Sequence, residues 1–225
     1  KDLSMYNALI FCQCTYVEQP IYNSLVTSLK KYIDKEGCLI IDGPFAITDE
    51  NSEDCDHKEL DDIIGVNYSG FHGDSEYRIR TACNLHFITK NFANNQYLTQ
   101  HLVNGLNILE FSDGGTVLLE STNEDISYPF LSIQEKSGNR IVLISDFSTW
   151  AGAASFFRNI EPQVFYKNML FNAMIRALQW TIYGDINGPF PAPQISNANM
   201  TAIIRLDADA SENLNMQIKT INYLA

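Results

Sequence analysis

Asp207 and Asp209 stand two apart, a spacing at which two carboxylates could serve metal-assisted acid–base chemistry. They follow a short apolar run at 201–206 (TAIIRL) that reads as a strand. Side chains two apart on an extended backbone point the same way, so both carboxylates can face one metal-bound water. A divalent metal would lower the pKa of that water, and the second carboxylate would take its proton. Catalytic metals commonly keep three protein ligands, often including His. The histidines, His57, His72, His86 and His101, show no i, i+4 pair. His86 stands in a strand-like run and reads as a structural residue. Cys12, Cys14, Cys38, Cys55 and Cys83 include no C-x-x-C pair, and Cys12, Cys14 and Cys38 read as small core residues.

Ser145, Asp146 and Ser148 fall at the end of the apolar run 140–147 (RIVLISDF), where an open α/β sheet places its crevice. Ser112-Asp113-Gly114-Gly115-Thr116 reads as a tight turn, because the Lys and following helix of a phosphate loop are missing. Gly70-Phe71-His72-Gly73-Asp74 reads as a turn, with a ligand loop as the alternative.

The elements that must position these residues alternate in type. A buried strand at 6–13 (YNALIFCQ) precedes Pro20, which fits the first turn of a helix. Ile21, Leu25, Leu29, Tyr32 and Ile33 recur at helical spacing, and Gly37 supplies a stop. A second buried strand at 38–42 (CLIID) completes a βαβ unit, which requires parallel pairing. Leu60, Ile63 and Ile64 before Gly65 mark a short helix after an acidic loop at 49–56. Strands are expected at 77–83, 85–89, 116–120 and 130–134, and Ser137-Gly138-Asn139 closes a hairpin onto 140–147. The longest helix is expected at 162–183, with a wide, mostly apolar surface from Val164, Phe165, Met169, Phe171, Asn172, Ile175, Leu178 and Ile182. Pro189, Pro191 and Pro193 mark 184–200 as a linker, and 201–225 reads as one strand and one helix.

An apolar fraction of 45% in 225 residues supports a packed core. The net charge of −12 repels polyanions and no Lys/Arg cluster offsets it, which excludes nucleic-acid binding. No run approaches the roughly eighteen apolar residues of a membrane span. Lys1-Asp2-Leu3-Ser4-Met5 has neither an initiator Met nor an apolar signal core, so any targeting segment is expected to have been removed or never present.

Residues 28–42, SLKKYIDKEGCLIID, resemble the helix–strand stretch of class I glutamine-amidotransferase-like domains, notably the trehalose-utilisation and β-galactosidase trimerisation types. Arg140–Leu143, followed by a helix ending Arg176-Ala177-Leu178-Gln179-Trp180, is similar to their last strand and closing helix. The resemblance covers most of residues 6–183. It implies a three-layer, flavodoxin-like α/β domain with a mostly parallel sheet. Such enzymes carry a Cys at the sharp turn after the strand matched here by CLIID. This chain has Asp42-Gly43-Pro44-Phe45 there, and Cys38 lies before the strand. The family's His after the last strand is replaced by Ser145-Asp146-Phe147-Ser148-Thr149-Trp150. Amidotransferase chemistry is therefore rejected, and Gly43, Ser145, Asp146 and Ser148 are expected to outline a vestigial pocket.

Residues 203–211, IIRLDADAS, are similar to the opening strand of polysaccharide deacetylase domains. That resemblance implies Asp207 as general base and Asp209 as metal ligand in hydrolysis of an acetamide. Ala208 separates the two, whereas the family's acids are usually adjacent. The family draws its His ligands from a paired-His motif further downstream. Residues 201–225 are thus expected to be an incomplete deacetylase-like domain, inactive alone and without a cofactor, with a zinc-like divalent metal only in an intact parent. Residues 1–183 would be its non-catalytic accessory domain, positioning the enzyme, forming homo-oligomers or binding carbohydrate, in a cell-envelope or extracellular setting. The alternative is a sugar- or small-molecule-binding module with no deacetylase partner, in which Phe71 and Trp150 stack on sugar rings.

Overall fold

The computed structural model describes residues 3–46, 58–99, 103–123, 126–146 and 161–185. All of these belong to one compact unit, Lys1–Asn187. The acidic loop, His57, His101, Cys55, Ser148, Trp150, most of the linker, Asp207 and Asp209 lie outside the described residues.

β1 (Ala8–Cys12) and β2 (Cys38–Asp42) flank helix α1 (Gln19–Ile33) in sequence and pair in parallel, Ala8 opposite Cys38 and Cys12 opposite Asp42. The βαβ unit read from the sequence is present. Helix α2 (Lys58–Ile64) leads into β3 (Val66–Thr81), and β4 (Val103–Phe111), β5 (Thr116–Thr122), β6 (Ser127–Lys136) and β7 (Asn139–Ile144) follow. Helix α3 (Glu161–Tyr183) is the last described element. No described helix is long and apolar enough to cross a membrane.

The seven strands form one sheet in the order β1-β2-β7-β6-β5-β3-β4. Only β1, β2 and β7 run parallel to one another; the remaining pairings are antiparallel. The sheet is therefore mixed rather than mostly parallel, because a tight turn joins β6 to β7 and only four residues separate β5 from β6, where crossover helices would be needed for parallel pairing. At the β6–β7 turn, Ser137 and Gly138 have φ of 54° and 86°, the left-handed pair that a two-residue hairpin demands.

Helices cover both faces of the parallel trio. On one face, Tyr22, Val26, Leu29 and Tyr32 of α1 pack with Leu39, Ile41, Ile141 and Leu143. Leu29 and Tyr32 are buried as expected and Leu25 and Ile33 are partly buried against the same core, whereas Tyr22 and Val26 widen the stripe and Ile21 is exposed. The alternate residues Ile40, Val142 and Ile144 are equally buried and face the α3 side, where α3 contacts β2 and β7. Met169, Leu170, Ala173, Ala177 and Trp180 form the buried face of α3, whereas Phe171 and Ile175 are exposed. Arg140, at the start of β7, donates from Nε to the Thr181 carbonyl (3.0 Å) and from Nη2 to the Ile182 carbonyl (3.1 Å). A cation on the last carbonyls of a helix complements its dipole and satisfies acceptors with no intrahelical partner.

The region between β2 and β5 departs from the expected short strands. β3 is a single 16-residue strand interrupted by bulges between Tyr68 and Gly70 and between His72 and Glu76. Its first part pairs with β4 and its last residues, Arg78–Thr81, pair with β5. Bulges bend a strand, and here Val66, Leu109 and Phe111 join the α1 core. Gly70–Asp74, expected as a turn, lies inside β3, and residues 85–89, expected as a strand, are turns. Leu85 is 91% exposed while Phe87 and Ile88 are buried, so that apolar run is not a pleat.

Gly37 also has a different role from the expected stop. The left-handed residue after α1 is Glu36, with φ of 62°. Gly37 lies against Tyr32, where a Cβ would fall 2.4 Å from ring carbons. That close approach lets the Tyr32 hydroxyl donate to the Cys38 carbonyl (3.1 Å) and accept from the Cys38 amide (3.2 Å), pinning α1 to β2. A left-handed non-glycine costs about 1 kcal/mol or more. Glu36→Gly should therefore raise the melting temperature by roughly 2–4 °C, measured by thermal unfolding at neutral pH.

Candidate functional site

The carboxyl ends of the parallel trio bring together Gln13 after β1, Asp42-Gly43 after β2 and Ser145-Asp146 after β7. Backbone hydrogen bonds continue past the strands: Gln13 N–H to the Asp42 carbonyl (2.7 Å), Gly43 N–H to the Ile144 carbonyl (2.8 Å), and Ala46 N–H to the Cys14 carbonyl (2.7 Å). The chain turns sharply here, with φ of 49° at Gln13, 78° at Gly43 and 54° at Ala46. Left-handed backbone at residues other than glycine persists only where surrounding structure holds it.

Gln13 holds the centre. Its Nε2 donates to Asp146 Oδ1 at 3.0 Å. Asp146 is 8% exposed and Asp42 is 3% exposed, so two carboxylates are withdrawn from solvent at this end of the sheet. A Cβ on Gly43 would fall 2.3 Å from Gln13 Nε2, so only glycine leaves room for the amide. Ser145 donates from Oγ to the Pro129 carbonyl (2.7 Å) and its N–H bonds the Phe130 carbonyl (2.9 Å). At 1% exposure, Ser145 ties β7 to β6 and does not present a nucleophile.

Gly43, Ser145 and Asp146 thus share one location, as the strand-end rule implies. Ser148 lies outside the described residues. Gln13 was not singled out from the sequence; its one signal is its place directly after β1. The sharp turn after β2 is present, and the residues on it are Asp42, Gly43 and Pro44. Cys14, expected in the core, lies beyond the end of β1 and is exposed, with its backbone bonded to that turn. Desolvation raises its thiol pKa, outweighing the opposing hydrogen bond to the Cys12 carbonyl, so the thiol is not activated. Among the described residues, no group of three or more His, Cys, Asp or Glu gathers as a metal site.

Concave surfaces occur elsewhere. One of about 570 Å³ runs past Leu3, Ser28, Lys31, Tyr32 and Lys35, and one of about 230 Å³ lies between Ile33, Ile63, Gly65 and Asn139. Both are open to solvent, and neither includes the strand-end residues.

These features define an α/β domain with a mixed sheet and a strand-end turn that carries no nucleophile among its described residues. No protein-family model matches the chain, and no curated protein matches it. Among solved structures it is similar to the cytoplasmic protein STM3548 from Salmonella typhimurium, with a TM-score of 0.55 and 15% identity over 80% of this chain and 73% of that one. It is also similar to part of a β-galactosidase from Rahnella sp. R3, with a TM-score of 0.50 and 10% identity over 80% of this chain. The match spans only 24% of that enzyme's length. At such identities the likeness is one of fold.

Proposed function

We propose that residues 1–183 form a non-catalytic accessory domain of a carbohydrate-active enzyme, of the amidotransferase-like, flavodoxin-like type. The observation that carries this reading is the turn after β2. It keeps the left-handed glycine at 78° but bears Asp42, Gly43 and Pro44 where an amidotransferase needs a thiol, and Gln13 and Asp146 occupy one another beside it. The fold-level likeness to part of a β-galactosidase supports a domain that accompanies a catalytic one.

In the finer form of the proposal the catalytic partner is a metal-dependent polysaccharide deacetylase beginning at residue 201, after a linker at 184–200. Asp207 would act as base and Asp209 as metal ligand there. The test is acetate release from acetylated glycans in the presence of zinc or cobalt. Residues 1–225 should release none, and activity from that chain would overturn the non-catalytic reading. A natural chain continuing past Ala225 should be active and should lose activity with Asp207→Asn or Asp209→Ala. An inactive longer chain would remove the deacetylase partner.

One observation favours the second reading, a sugar-binding module. Phe71 is 62% exposed, and its ring lies against Gly73 and Gly105. Titration of residues 1–225 with neutral oligosaccharides separates the two readings. Saturable binding lost in Phe71→Ala supports the module.

A further inference from the structure

His86 sits in the turn before Phe87 and Ile88, with one ring nitrogen accepting a hydrogen bond and the other facing a carboxylate. The Ile88 N–H donates to Nδ1 at 3.3 Å, so Nδ1 must be unprotonated and the neutral ring carries its proton on Nε2. Nε2 faces Asp185 Oδ1 at 3.7 Å, just beyond the end of α3. The ring meets Trp180 edge-on, with centroids 5.2 Å apart, and Trp180 is 2% exposed. The Trp180 carbonyl in turn accepts from Gly184 N–H at 2.8 Å, where a φ of 73° ends the helix. Thr89 completes the turn, donating from Oγ1 to the Cys83 carbonyl at 2.5 Å. A neutral imidazole therefore links the 83–89 turn to the last turn of α3.

We propose that His86 is a pH-sensitive pin: protonation of Nδ1 removes the acceptor of the buried Ile88 amide and loosens the 83–89 turn. The charged groups facing the ring are Asp185 after α3 and Glu135 on β6. Glu135 is shared with Arg140, whose Nη1 lies 3.8 Å away. Both carboxylates favour the imidazolium, but burial outweighs them and the folded-state pKa lies below the ordinary 6.5. The unfolded chain therefore binds this proton first as pH falls. The stability contributed by the neutral pin is complete above about pH 6.5 and declines as pH drops toward the lowered folded value.

The direct experiment is an NMR titration of the His86 ring in the 225-residue chain, together with exchange protection of the Ile88 amide corrected for intrinsic rates. The expected result is a midpoint below that of a free imidazole, with Ile88 protection falling through the same transition. His86→Asn places an amide oxygen near the Nδ1 position and does not titrate, so its Ile88 protection should not change with pH. A His86 midpoint at or above 6.5, or Ile88 protection unchanged through the titration, would overturn the proposal. Should the Asn variant not fold, the wild-type titration decides alone.

Discussion

Trp180→Ala should destabilise the domain by about 3–5 kcal/mol, the usual cost of truncating a buried tryptophan. The indole is 2% exposed and belongs to the α3 face that also buries Met169, Leu170, Ala173 and Ala177. Its removal leaves a void where the helix meets the sheet, and fixed backbone on both sides limits how far that void can collapse. Against a total stability of roughly 5–15 kcal/mol for a domain, this loss is large enough to populate unfolded chains at 37 °C. Urea denaturation should show a lower midpoint with an unchanged slope. The substitution should also raise the His86 pKa toward its ordinary value, because the indole packed edge-on against the ring no longer keeps water from it. A core truncation that left His86 unmoved would mean that the shielding comes from elsewhere.

Elements with one clear period were legible in the sequence. CLIID reads as an interior strand because every residue of β2 is buried, and α1 and α3 announce themselves through length and 3.6-residue spacing. The β6–β7 hairpin was legible for a chemical reason: Ser137-Gly138-Asn139 is turn chemistry set between two apolar runs, and Ser137 and Gly138 both take positive φ. Of β3 only the end, Tyr77–Thr81, was legible; the rest of β3 and all of β4 were not, since bulges break the period of two and two glycines mimic a turn. β4 reads VNGLNILEF, and Asn107 and Gly105 hide a strand whose Leu106, Ile108 and Leu109 are buried. Residues 85–89 failed in the opposite direction. A run of five residues cannot distinguish a strand from a turn that buries its middle.

The site was legible only where topology dictates location. Gly43, Ser145 and Asp146 follow interior strands, so a parallel register brings them together whatever their chemistry. What each does depends on long-range contacts without a sequence signature. Ser145 turns to a carbonyl on β6, and Asp146 receives an amide 133 residues away in sequence. A lone glutamine at a strand end carries no motif, so Gln13 could emerge only from the folded chain.

Gly43→Ala should therefore cost more than a typical surface substitution, by about 2.5–5 kcal/mol. The left-handed backbone at 78° charges a Cβ roughly 1–2 kcal/mol. The new methyl would also lie 2.3 Å from Gln13 Nε2, forcing the amide off Asp146 Oδ1. A hydrogen bond to a charged group is worth about 1.5–3 kcal/mol, and this one is largely shielded from water. The two costs can be separated by a double-mutant cycle with Gln13→Ala. In that background the alanine at position 43 should retain only the backbone strain, so the combined loss should fall short of the sum by at least 1 kcal/mol. Additive losses would show that the glycine serves conformation alone and that the Gln13–Asp146 bond contributes nothing to the turn. A cycle with the predicted coupling would establish that the turn after β2 is held by the side chain of Gln13, the residue that follows β1.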